Sequence, residues 1–218
     1  MRMSWRDLTF LHWPYEPATI RPLVPAGLQL DLHDGIAWVG LVPFLMTDVS
    51  VPRGPAVPWI SEFPETNVRT YVFNSRGERG VWFFSLDAAR LLAVIGGRTL
   101  FSLPYFWATM SIDRRPASVR YTSRRRGPSG LDIQVRIGEA IASPTSLEHF
   151  LTARWRLFAE RRGRILQSKV HHQTWPLFTA EAITVEQDLF AASGLPAPRG
   201  EPLAHFSPNV DVMAGSLE

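Results

Sequence analysis

Several segments of this chain carry apolar residues at both odd and even positions, a pattern that predicts strands covered by protein on two faces. Leu28, Leu30 and Leu32 alternate up to His33-Asp34-Gly35, a turn signal, and Ile36 to Met46 then runs almost wholly apolar. A hairpin entering the core is expected there. Val68 to Phe73 and Val81 to Leu86 flank Ser75 to Gly80, where two glycines permit the reversal of a second hairpin. Further strands are expected at 105–113, 118–124, 132–137, 155–160, 165–171 and 203–213. Helical pattern is confined to 18–23, 88–95, 146–153 and 185–192, with Ser146 ahead of Glu148 and Ser193-Gly194 as terminus signals. Prolines gather at joints, notably 52–58 and 196–202, where a residue without an N–H fits loops and strand edges. The pattern predicts a barrel or layered sheet with helices as minor elements.

Length and composition narrow this further. With 218 residues, no low-complexity divider and no internal repeat, one domain spanning 1–218 is expected. No apolar run approaches the roughly 18 residues that a membrane span needs, and the first residues lack a secretory apolar segment. Absence of cysteine removes disulfides, thiol nucleophiles and cysteine-based zinc sites together, so a cytoplasmic location with no membrane partner is expected. A net charge of +3 argues against a nucleic-acid partner. The 23 basic residues include a single lysine, Lys169. Arginine stays protonated almost anywhere, so the chain is poor in amine nucleophiles.

The candidate chemistry centres on Glu65-Thr66-Asn67-Val68-Arg69-Thr70-Tyr71, because strand alternation puts Glu65, Asn67, Arg69 and Tyr71 on one side. Residues two apart on a strand are roughly 6.6 Å apart, so Glu65 and Arg69 are placed to clamp a ligand between them. The alternative is an ordinary solvent-facing strand. The following strand supplies aromatics, and Trp82 and Phe84 are its candidate pocket walls. Tyr105, in the run Leu103-Pro104-Tyr105-Phe106-Trp107, brings a phenol that can hold a ligand oxygen or act as an acid, or else packs in the core.

Other motifs point nowhere specific. His171 and His172 are adjacent and take opposite faces of a strand, so no metal site is expected. Arg124-Arg125-Arg126 and Arg161-Arg162-Gly163-Arg164 read as solvated hairpin tips. There is no nucleophile elbow around Ser85, Ser102 or Ser168, no phosphate loop and no dinucleotide fingerprint, so no cofactor is expected.

Taken in order, four segments resemble the YqjF-like family of uncharacterised bacterial proteins, which is similar in fold to acetoacetate decarboxylase. They are Ile20-Arg21-Pro22-Leu23-Val24-Pro25-Ala26-Gly27-Leu28, Glu65 to Val72, Phe84-Ser85-Leu86-Asp87-Ala88, and Gly97-Arg98-Thr99-Leu100 leading to Pro104. The resemblance implies an α+β, strand-dominated fold: a cone-shaped antiparallel β-barrel with an additional sheet and a few short helices. It also implies an interior that holds the ligand, lined by an arginine of the first strand and a glutamate, which Arg6 and Glu65 match. The decarboxylase lysine pair corresponds here to Tyr105 and Phe106, neither of which can form an imine.

The resulting expectation is a barrel that binds an anionic or carbonyl-bearing small molecule. Arg6, Asn67, Arg69, Tyr71, Trp82 and Phe84 would bind the ligand, and Glu65 and Tyr105 would handle a proton. An acid–base lyase or hydrolase without imine chemistry, and a homo-oligomeric interaction module, are the alternatives.

Overall fold

The computed structural model describes residues 1–50 and 61–218. The proline cluster at 52–58 lies outside the described residues. The chain opens with β1 (Arg2–Tyr15), followed by α1 (Pro17–Ile20), a 3-10 turn at Arg21–Leu23 and β2 (Leu28–Leu30). Three long strands follow, β3 (Ala37–Ser50), β4 (Phe63–Asn74) and β5 (Arg79–Ala88), and then α2 (Leu91–Leu100). A meander of β6 (Tyr105–Arg115), β7 (Ser118–Arg125) and β8 (Gly130–Ala140) leads to α3 (Ser146–Thr152). The chain closes with β9 (Arg156–Arg161), β10 (Arg164–His172), β11 (Phe178–Gln187), α4 (Leu189–Ala192) and β12 (Leu203–Ala214).

All these strands belong to one 12-stranded sheet, and its pairings close it on itself. The antiparallel run β12-β1-β3-β4-β5 is bridged in two ways. The hairpin β9–β10 joins β5 to β12 directly, and β6-β7-β8-β11 joins them by a longer route. β5 pairs with β9 at Val81 and Trp82 but with β6 at Leu86 to Ala88, so one strand edge serves both routes. The shorter route makes a closed ring, and the longer one an extra sheet against its outside.

This arrangement explains the double-sided apolar pattern. On β4, Val68 and Val72 enter a core shared with Val119, Tyr121, Ile133 and Val135 of the extra sheet, while the odd-numbered residues turn into the ring. Both faces therefore meet protein, as the sequence implied. Full burial of Leu11, Val39, Leu41 and Ile133 contributes roughly 1.5–3 kcal/mol per side chain to this core.

Three expectations are corrected. The expected first hairpin keeps its turn, with Asp34 (φ 51°) and Gly35 (φ 78°) between the bridged His33 and Ile36, but β2 pairs with β4 instead of β3. The helix expected at 88–95 begins three residues later, because Ala88 still pairs with Glu65. Of the helix expected at 185–192, only Leu189–Ala192 is helical. Val185, Glu186 and Gln187 pair with β8, and that tertiary pairing overrides the local pattern.

Candidate functional site

Inside the ring lies a cavity of about 100 Å³. At about 30 Å³ for a water, that is room for a ligand of a few heavy atoms. Its walls are largely apolar and aromatic: Met3 and Trp5 from β1, Val81, Phe83 and Leu86 from β5, Leu157 from β9, Val170 from β10, and Trp175 beyond β10. Into this setting β4 delivers Glu65, Asn67 and Arg69, two residues apart on one face, and β6, on the far edge of β5, delivers Tyr105.

Glu65 and Tyr105 form the acidic corner. The Tyr105 hydroxyl donates to Glu65 Oε2 at 3.0 Å. Burial pushes the Glu65 carboxyl up to about 8, against the pull of hydrogen bonding from Tyr105 and Asn67 and with a smaller upward push from the charge of Asp87. Glu65 therefore carries its proton at neutral pH, and an O–H of the acid is available beside the cavity. The Tyr105 phenol is itself raised well above its ordinary value, by burial first and then by Glu65, so it stays a donor. Its ring sits where it does because Gly97 of α2 has no side chain: a Cβ there would lie 2.2 Å from Tyr105 Cδ2. The cost of a helical glycine, about 1 kcal/mol, is offset by that close approach.

The basic side is formed by Arg69 and Arg154, both buried. Arg69 donates from Nη2 to the Leu151 carbonyl at 3.3 Å and stacks over Phe10 at 5.5 Å. Among the described residues it has no carboxylate within ion-pair distance, and its Nε is unpartnered. Arg154 is paired with Asp31 at 2.5 Å, yet its Nη2 is also unpartnered. Asn67 Oδ1 and Trp5 Nε1 complete a set of buried polar atoms at this wall that lack a protein partner. An unpartnered buried donor is costly, and three of them, on Arg69, Arg154 and Trp5, gather around this one cavity. His172 lies between Trp155 and Trp175, and burial lowers its pKa against the effect of the Gln173 and Arg154 carbonyls.

The structure thus brings Glu65, Asn67 and Arg69 of β4 to the cavity on one face, and Tyr105 joins them from β6. Tyr71 shares their face but is fully buried deeper in the ring, where its hydroxyl meets His12 Nε2 and donates to the Leu151 carbonyl, both at 2.6 Å. Tyr71 therefore does not line the cavity, and three further assignments are corrected. Arg6 lies outside the cavity, half exposed and bonded to Asp48 at 3.2 Å, because the inward positions of β1 are Met3 and Trp5. Trp82 and Phe84 point away, into an outer groove and the core beneath the extra sheet. Their parity is set by a bulge: Arg69 faces Phe83 but Val68 faces Ser85, so β5 turns Val81 and Phe83, then Leu86, toward the cavity.

Lys169 is exposed on β10 and is not among the cavity residues. Of the arginine runs, Arg125 departs from the solvated reading: its side chain, 9% exposed, packs against Asp87 at 2.6 Å, with its guanidinium 3.9 Å from the Phe106 ring centre. Among the described residues no cluster of three metal-ligating side chains occurs, and no helix is long and apolar enough to cross a membrane. Sequence reasoning did not select Arg154, Trp5, Trp175 or His12. Their only signal was a polar or aromatic residue inside a strand or beside a helix end, and long-range closure of the ring gives them their role.

Comparison with known proteins gives four matches of note. A family described as "Uncharacterized conserved protein", DUF2071, matches residues 2–211. The "Uncharacterized protein YqjF" of Bacillus subtilis is 37% identical over 217 residues, covering 98% of this chain and 89% of its own. Two solved structures share the fold over the whole of this chain. The "Enduracididine biosynthesis enzyme MppR complexed with pyruvate" has a TM-score of 0.72 at 12% identity over 89% of its length. The acetoacetate decarboxylase of Legionella pneumophila has a TM-score of 0.70 at 14% identity over 87% of its length. At those identities the likeness is one of fold.

Proposed function

The chain belongs to the DUF2071 family of uncharacterized conserved proteins with an acetoacetate decarboxylase-like fold, and on that premise we propose that it binds a small anionic or carbonyl-bearing metabolite inside the ring. Arg69 is the anchor for the ligand's negative oxygen. Asn67 and Arg154 flank it, and Glu65, held by Tyr105, presents a proton to a second oxygen. The observation that carries this reading is the buried guanidinium of Arg69, which faces carbonyl and aromatic partners but no carboxylate among the described residues. A buried cation without a counter-charge is expensive unless a ligand supplies one. That a neighbour in fold has been solved with pyruvate fits the size of the cavity.

Any chemistry at this site would use acid and base groups. A neutral Glu65 can protonate a developing oxyanion and, left as a carboxylate, take a proton from solvent once the product departs. Imine formation needs an amine; none of the cavity residues is a lysine, and the α-amino group of Met1, another lining residue, donates to the Ala214 carbonyl at 2.8 Å.

Titration with small carboxylates such as propionate, followed by chemical-shift mapping, tests the reading. Perturbations should centre on Arg69 and Glu65, and Arg69→Ala should abolish them, whereas Arg6→Ala should leave binding intact. Affinity should fall above about pH 8, where Glu65 ionises and repels the ligand. Glu65→Gln should remove that fall. Binding that is indifferent to Arg69→Ala would overturn the proposal.

A further inference from the structure

Arg69 has no counter-ion among the described residues, yet its guanidinium is placed; what places it is the last turn of α3. A helix leaves its final carbonyls without intrahelical partners. On α3 three consecutive ones are taken up by residues of the cavity region. The Phe150 carbonyl accepts from Arg154 Nε at 2.9 Å, and the Leu151 carbonyl accepts from both Arg69 Nη2 and Tyr71 Oη. The Thr152 carbonyl accepts from Trp175 Nε1 at 3.0 Å. Carbonyl dipoles can orient a guanidinium without cancelling its charge, which leaves Arg69 able to attract an anion.

The other end of α3 is fixed just as specifically. Thr145 and Glu148 form a reciprocal capping box: the Thr145 hydroxyl accepts from the Glu148 N–H, and the Glu148 carboxylate accepts from the Thr145 N–H at 2.6 Å. The second carboxylate oxygen of Glu148 lies 3.0 Å from Nε2 of His205, a buried residue of β12. Thr152 closes the span by donating its hydroxyl to the Glu148 carbonyl at 2.7 Å. Glu148 is thus the one side chain that both caps α3 and ties it to the barrel wall, while it is absent from the cavity itself.

We infer that Glu148 is a positioning residue for anion binding, acting through α3 on the three carbonyls that hold Arg69, Tyr71, Arg154 and Trp175. The inference rests on the cavity reading for its functional consequence, but the mechanical link can be measured without any ligand. In the full-length protein, the Nε–H of Arg69 and the indole N–H of Trp175 report the clamp by NMR. The indole of Trp13, bonded to the Gly200 carbonyl at 3.1 Å, serves as a remote reference.

Glu148→Ala should shift or broaden the Arg69 and Trp175 signals, leave Trp13 in place, and weaken propionate binding by roughly tenfold, the scale of one charge-assisted hydrogen bond. Glu148→Gln can still complete the capping box through its amide oxygen and can donate its amide N–H to His205 Nε2, so it should restore both readouts. Should the alanine variant fail to fold, Glu148→Asp applies the same test, since it keeps the charge but shortens the reach to His205. A Glu148→Ala protein that melts earlier yet keeps both signals and the propionate affinity would overturn the inference. Wild-type protein that ignores propionate, while Glu148→Ala still moves Arg69 and Trp175, would overturn the cavity reading and support the positioning role.

Discussion

Glu65 is buried beside a phenol and an amide instead of a cation, and this makes its proton a stability term. The folded protein holds that proton up to about pH 8, whereas the ordinary value is 4.5. Between those values the native state binds a proton that the unfolded chain has released, so stability falls as pH rises, by about 1.4 kcal/mol per unit, and levels off above the upper value. Glu65→Gln lacks this loss. Its denaturant midpoint should gain on the wild type between about pH 5 and about pH 8, and parallel curves would show that Glu65 is not a buried neutral acid. The face carrying Glu65, Asn67 and Arg69 was legible in the sequence because strand parity alone defines it. The parity of β5 was not, since one extra residue opposite Val68 and Arg69 swaps the inward and outward sets, and no turn or glycine marks that bulge.

At the scale of elements, the strands that were legible are those with strong alternation or continuous apolar runs. The apolar–polar pattern missed β1, which only the family resemblance implied, because its charged start, Arg2 to Asp7, hides the apolar residues that follow, and it missed β11 because its alternating positions are small or polar. The cap of α3 was displaced by one residue, from Ser146 to Thr145, because only a residue three before Glu148 can complete the reciprocal bonds. One inter-element tie was hidden within an apparent surface run. Asp87 on β5 pairs with Arg125 on β7 across β6, and Ser123 also donates to it at 3.0 Å. Burial pushes the Asp87 carboxyl up, while Arg125 and Ser123 pull it down. Asp87→Asn would leave Arg125 buried without its partner, at a cost of about 3–5 kcal/mol. The double variant Asp87→Leu, Arg125→Met should recover most of that loss in urea unfolding. Equal midpoints for wild type and Asp87→Asn would mean that the pair holds nothing together.

The molecule as a whole has one amine side chain, and it sits on the wrong side of the wall. Borohydride reduction in the presence of a 2-oxo acid should give no stoichiometric adduct on Lys169, because that residue lies away from the cavity. A covalent adduct on Lys169, read by mass spectrometry, would contradict that placement. The ring itself depends on β1 pairing with β12, from Arg2 opposite Met213 to His12 opposite Leu203. Nothing synthesised earlier can substitute for that last strand. At about 5–20 residues per second, β1 emerges from the ribosome and waits roughly 10–40 s with an open edge before its neighbour exists. The nascent chain therefore carries a long, pairing-competent strand throughout that interval, and its yield in the cell should depend on how well chaperones shield that edge until β12 arrives.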